Sequence, residues 1–118
     1  MITGTVTVSG TPIIQMVLAG QTWDAIVDTG FNGHLELPQS LKSVLNPKYL
    51  FDIVSVLAAG QTVIEQLFEV QIAFDGKTIT AEATFVPGSQ ILLGTAMLRD
   101  HQLEINFKTG NLVIDRVP

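Results

Sequence analysis

Asp28, Thr29 and Gly30 are the residues in this chain best placed to do chemistry. The acid follows the apolar run Ala25-Ile26-Val27, so it stands where a strand ends and a tight turn begins. Asp and Gly both favour such turns. Turn amides can hold the short carboxylate and present it to a substrate. One carboxylate polarises a water only weakly. Two that face each other share a proton and act as acid and base together. The sequence contains a single Asp-Thr-Gly, so the partner carboxylate has to come from elsewhere.

Other chemistries have little to build on. There are no cysteines, which rules out disulfides, thiolate catalysis and thiolate metal sites. His34 and His101 are the only histidines, and no His-Glu-x-x-His spacing occurs. Neither a metal nor a cofactor is expected. His34 reads as a surface or rim residue beside the turn. The formal net charge is -5 and no Lys/Arg run or basic stripe occurs, so nucleic acid is not an expected partner. The first residues lack a basic segment followed by an apolar one, and no apolar run approaches a bilayer span. The expectation is a cytoplasmic protein without a membrane partner, alone or as a unit of a longer chain.

A length of 118 residues points to one domain over 1–118, large enough to bury a core without covalent staples. Hydrophobic residues make up 47% and charged residues 14%, more apolar surface than one small globule hides easily. Burial against an identical copy is expected.

The elements that must position Asp28 are mostly strands. Val6 and Val8 alternate with threonines and Ser9, and Ile13 to Leu18 is nearly continuous apolar, as in a strand buried on both faces. Thr22 to Val27 leads into Asp28, with Trp23 expected in the core or beneath the loop. Phe68, Val70, Ile72 and Phe74 share one face, and Asp75-Gly76 is a hairpin signal. The return strand places Ile79, Ala81, Ala83 and Phe85 on one face and Thr78, Thr80, Glu82 and Thr84 on the other. Leu103, Ile105 and Phe107 alternate with Glu104 and Asn106, and Leu112 to Arg116 forms the last strand. These last strands, through Ile105, Phe107, Val113 and Ile114, could build a dimer sheet. Helical signals are confined to Pro38–Leu45 and Thr95–Asp100, the second with Thr95 as N-cap. Eight or so short strands with one or two short helices predict an all-β, closed or nearly closed barrel. Ile26-Val27-Asp28-Thr29-Gly30 is faintly echoed by Leu92-Leu93-Gly94-Thr95.

Ala25 to Gly33 resembles the active-site segment of retroviral-type (retropepsin-like) aspartic proteases, and Ile91 to Leu98 resembles their second signature, an apolar-apolar-Gly run entering a short helix. Phe31, and Val56 to Gln61, are similar more narrowly to prokaryotic single-domain clan AA proteases of the Asp-Thr-Gly-Phe type. The resemblance spans nearly the whole chain. It implies a single-lobe closed β-barrel and an aspartic endopeptidase, with Asp28 catalytic and completed by Asp28 of a second copy in a homodimer. It implies that the Thr29 hydroxyl bonds across the dimer axis, and that Gly30 permits close approach and a φ closed to other residues. It also implies that Gly94 clears space behind the loop, and that Ala58, Ala59 and Gly60 form the tip of a flap over a peptide or protein substrate. Retroviral enzymes brace their dimer with an Asp two residues after the catalytic Gly and an Arg after the later Gly. Asn32 and Thr95 stand there instead, with Arg99 a candidate substitute. The competing reading is a peptide-binding or dimerisation module with weak or no turnover.

Overall fold

Alternation decides the core. A computed structural model describes residues 1–118. Its strands are β1 (Ile2–Val6), β2 (Pro12–Leu18), β3 (Gln21–Val27), β4 (Leu35–Pro38), β5 (Lys48–Val56), β6 (Thr62–Phe74), β7 (Lys77–Val86), β8 (Ile91–Leu93), β9 (His101–Asn106) and β10 (Asn111–Arg116). Along β6, Phe68, Val70, Ile72 and Phe74 are buried while Gln71 and Ala73 face water. The turn Asp75-Gly76 has φ of 50° and 77°, the backbone that joins strands through a tight two-residue hairpin. It returns the chain into β7, where Ala81 and Ala83 are buried and Ile79 and Phe85 pack against the core. Thr84, expected on the wet face, is buried as well, because β4 lies alongside it in the register Glu36 to Thr84.

Two expectations about the sheet are corrected. β2 is buried on one face only: Ile14, Met16 and Leu18 point inward, while Gln15 is exposed and Val17 is 58% exposed. Its unbroken apolar run therefore hides an ordinary one-sided strand. The barrel is also not closed. The strands form one ten-stranded sheet in the order β5-β6-β7-β4-β8-β3-β2-β1-β10-β9, so β5 and β9 are free ends. The sheet coils until β2 packs on β6, and one apolar cluster fills the fold from Ile14 and Leu18 through Leu37, Val70 and Ile91 to Ile114. Closure fails because β5 carries no buried residue and leaves the core with the outer half of β6 as a projecting hairpin.

Helix is scarce. A 3-10 turn (Gln39–Leu41) runs into α1 (Lys42–Leu45), which ends at Asn46 in the left-handed region, φ 48°. A second 3-10 turn covers Thr95–Leu98; its N-cap is Gly94 without a side-chain cap, so Thr95 does not cap it. Trp23 is half-buried against the core, and its buried Nε1 has no hydrogen-bond partner.

Asp75 also ties the chain ends together. Its carboxylate accepts from the Met1 ammonium at 2.8 Å and lies 3.1 Å from His101 Nε2, with Arg116 at 3.9 Å. The ammonium first, then His101, hold the Asp75 carboxyl below its ordinary 3.8, and the bond to Asp75 raises the Met1 amine above 8.0. A depressed carboxyl stabilises the fold above its unfolded value and loses that contribution as pH falls through the folded one. The raised amine contributes below 8.0 and loses its share as pH rises through its folded value. Asp75→Asn, which keeps a residue tolerant of the turn, should therefore lower Tm at neutral pH, with the gap closing in strong acid. Equal melting curves of the two proteins at neutral pH would show that the cluster contributes nothing.

Candidate active site

β3 delivers Asp28 after Ala25 and Val27 have turned into the core. β8 pairs with β3 in parallel, Ile26 to Leu92 and Val27 to Leu93, and with β4 antiparallel, Leu35 to Leu93 and Glu36 to Leu92. The faint echo in the sequence is thus a pair of adjacent strands. Residues 28–34 arch from one side of β8 to the other. The Asp28 amide donates to the Leu93 carbonyl at 2.9 Å, and the Phe31 amide donates back to the Asp28 carbonyl at 3.1 Å. One carboxylate oxygen, Oδ1, accepts from the Gly30 amide at 2.9 Å. The other makes no hydrogen bond within the chain. Asp28 is half-buried, whereas Thr29 and Gly30 are exposed and the Thr29 hydroxyl has no intrachain partner.

The segment after β8 laces this loop from behind. The Gly94 amide donates to His34 O at 2.9 Å, Thr95 to Phe31 O at 2.8 Å and Ala96 to Gly33 O at 3.2 Å. A Cβ on Gly94 would run into the Gly33 carbonyl oxygen and stand 2.7 Å from that of Phe31. Only glycine fits between these two carbonyls. Gly30 differs from expectation: its φ does not lie in the left-handed region, and a Cβ there would meet only Asp28 Oδ1, at 3.3 Å. Within the chain, the contact with that carboxylate oxygen is the one demand for glycine there.

Asp28, Thr29, Gly30 and Gly94 therefore belong to one laced unit. Ala58, Ala59 and Gly60 are separate from it, in the exposed turn joining β5 to β6, where Gly60 has φ 82° and donates to Leu57 O at 2.9 Å. Below that turn the hairpin exposes Val54, Val56 and Ile64 at 68%, 72% and 75%. His34 is half-buried at the loop's end, with no side-chain hydrogen bond. Arg99 is exposed and unpaired, since the chain's ion pairs all meet at Asp75.

Sequence reasoning missed Glu36. Between Leu35 and Leu37 it reads as an ordinary outward residue. The pairing instead sets it in a cross-strand row, Ile26, Leu92, Glu36 and Thr84, on the sheet face opposite the core row of Val27, Leu93, Leu35 and Ala83. Burial, then the charges of Glu65 and Asp28, hold the Glu36 carboxyl above its ordinary 4.5. Such a group opposes folding increasingly as pH rises past its unfolded value. Glu36→Gln should accordingly raise Tm at neutral pH and leave it unchanged in strong acid. A neutral-pH Tm below that of the wild type would mean that the charge is compensated after all.

No protein-family model matches the sequence, and no curated protein matches it. Solved structures do match the fold. A retropepsin-like aspartic protease from Rickettsia conorii superposes over 98% of this chain and 89% of its own, with a TM-score of 0.68 and 17% identity. The simian foamy virus (mac) protease matches over 74% of this chain and 91% of its own, with a TM-score of 0.58 and 15% identity. A foamy viral protease-reverse transcriptase bound to an RNA/DNA hybrid matches over 80% of this chain but 13% of its own, with a TM-score of 0.62 and 13% identity. Likeness at this level of identity is likeness of fold, and the chain has the retropepsin-like fold.

Proposed function

We propose that this chain is a single-domain, cytoplasmic aspartic endopeptidase that works as a homodimer, Asp28 of each copy supplying half of the acid-base pair. The observation that carries the proposal is the Asp28 carboxylate, with one oxygen oriented by the Gly30 amide and the other unengaged, in a retropepsin-like fold. A two-fold axis brings the same residue from each copy together. Two such carboxylates cannot both ionise cheaply, so the pair holds one proton, and its titration belongs to the pair. The ionised Asp28 takes a proton from a water, whose oxygen attacks the scissile carbonyl carbon. The protonated Asp28 of the other copy donates to the carbonyl oxygen, giving a neutral tetrahedral diol. The Asp28 that took the water's proton gives it to the amide nitrogen, the C–N bond breaks as the other Asp28 takes back one diol hydroxyl proton, and acid and amine leave with the pair again holding one proton. No acyl-enzyme and no metal is required.

The Thr29 hydroxyl, free within the chain, is assigned to a bond across the axis. The peptide is assigned to an extended conformation beneath the Ala58-Ala59-Gly60 tip, adding as a strand with alternate side chains in pockets. The exposed Val54, Val56 and Ile64 of the hairpin support that role, since clustered apolar side chains left in water favour binding. The experiment is incubation of the purified chain with a diverse peptide library in acid and at neutral pH, reading new termini by mass spectrometry. Cleavage that a hydroxyl-bearing transition-state mimic inhibits supports the assignment, and an uncut library at every pH opposes it. A second reading, a peptide-binding or dimerisation module with weak turnover, is favoured by Asn32 and Thr95 at the brace positions and by the unpaired Arg99. It predicts peptide binding without new termini.

A further inference from the structure

Glu36 is a half-buried carboxylate that the acid-base chemistry above does not use. Its row, Ile26, Leu92, Glu36 and Thr84, lies on the sheet face opposite the core. Asp28 follows Ile26 by two residues and its amide still pairs with β8, so strand alternation turns it to that same face. Glu36 stands two strands from Ile26, about 10 Å across the sheet. It lines an open pocket of about 340 Å3, walled also by the apolar Val86 and Leu92 and by the polar Ser89 and Gln90. No ion pair of the chain reaches it, since those all meet at Asp75.

The charge around this pocket is one-sided. Glu65 from the β5–β6 hairpin and Asp28 from its loop are the charges that act on Glu36, and both are negative. Leu92 of β8, Thr84 of β7 and residues 86–90 carry none. A half-buried carboxylate in such surroundings is best matched by a cation brought from outside the chain. Val86 and Leu92 offer an apolar wall to a methylene stem, while Ser89 and Gln90 offer side-chain oxygens to N–H donors. Resting on the endopeptidase reading above, we propose that this pocket takes a lysine or arginine side chain of the bound peptide, with Glu36 the residue that selects it. An extended peptide rises about 3.3 Å per residue, so a separation of about 10 Å sets that side chain within about three residues of the scissile bond. The two-fold axis supplies one such pocket on each side of the cut.

The test maps cut sites in a diverse peptide library by mass spectrometry, with the wild-type and Glu36→Gln chains side by side. The wild type should enrich Lys and Arg within about three residues of the cut. A cut peptide with lysine there is then compared with its norleucine counterpart, which keeps the stem without the ammonium. The kcat/KM should favour lysine by about ten-fold, as one hydrogen bond between charged groups does. Glu36→Gln should bring that ratio close to one, and Glu36→Lys should turn the preference toward acidic side chains. Fluorescence anisotropy of a labelled peptide with one central lysine, and of its norleucine counterpart, reads binding alongside. Cleavage without a basic preference, or a preference that Glu36→Gln leaves intact, overturns the pocket while leaving the endopeptidase standing. Glu36-dependent binding of the lysine peptide with no cut anywhere supports the pocket and overturns the endopeptidase. Neither cleavage nor a Glu36-dependent difference in binding overturns both.

Discussion

Asp28→Asn is expected to abolish peptide cleavage, by on the order of 10³-fold or more, while leaving the melting temperature close to that of the wild type. The two halves of that expectation have separate causes. The fold does not depend on the charge: Asn keeps an oxygen that can accept from the Gly30 amide, and the backbone bonds from Asp28 to Leu93 and from Phe31 to Asp28 are untouched. Under the proposed function the chemistry depends on it entirely. An amide neither takes a proton from water nor donates one to a carbonyl oxygen at the right moment, and in a homodimer the substitution removes both groups at once. Retained cleavage at the wild-type rate would move the chemistry away from this loop. A collapsed fold would show that the carboxylate is structural.

Gly94→Ala should do the opposite, damaging the fold first and activity through it. The new methyl would meet two backbone oxygens, those of Gly33 and Phe31, and backbone cannot rotate aside as a side chain can. Relief requires the loop to move away from the Thr95–Leu98 turn, which strains the bonds at 2.8 and 3.2 Å that lace them. Overpacking of this kind costs on the order of 3 kcal/mol. For a chain of this size that is a fall in Tm of roughly 10 °C. Gly30→Ala is the contrast. Its methyl would meet only Asp28 Oδ1 at 3.3 Å, so its melting curve should stay close to the wild type. Any activity it loses then reports on a displaced Asp28 carboxylate, a partner copy or a substrate. Thermal melts of the two variants side by side check this, and equal losses of Tm would contradict it.

Local patterns in the sequence were legible where local physics decides. Asp75-Gly76 is a hairpin because both residues accept positive φ, and Phe68 to Phe74 face the core because a strand alternates. Asp28 was placed correctly at a strand end for the same reason. The features set by long-range pairing were not legible. Glu36 nears Asp28 only because β8 pairs with both β3 and β4, and Thr84 is buried only because β4 covers it. Val17 lies in an apolar run yet faces water, since hydrophobicity alone cannot say which faces of a strand are covered. Closure of the barrel was a global question that strand number alone does not answer, and here the β5–β6 hairpin leaves the sheet open.

The laced loop explains how one chain presents one aspartate, and in the proposed homodimer a second copy supplies the other. Refolding wild-type chains together with increasing amounts of the Asp28→Asn chain tests that directly. Mixed dimers carry a single Asp28, so cleavage per wild-type chain should fall to roughly one tenth when the variant is in about nine-fold excess and subunits pair at random. Cleavage per wild-type chain that stays constant at every mixing ratio would mean that each Asp28 works within its own chain.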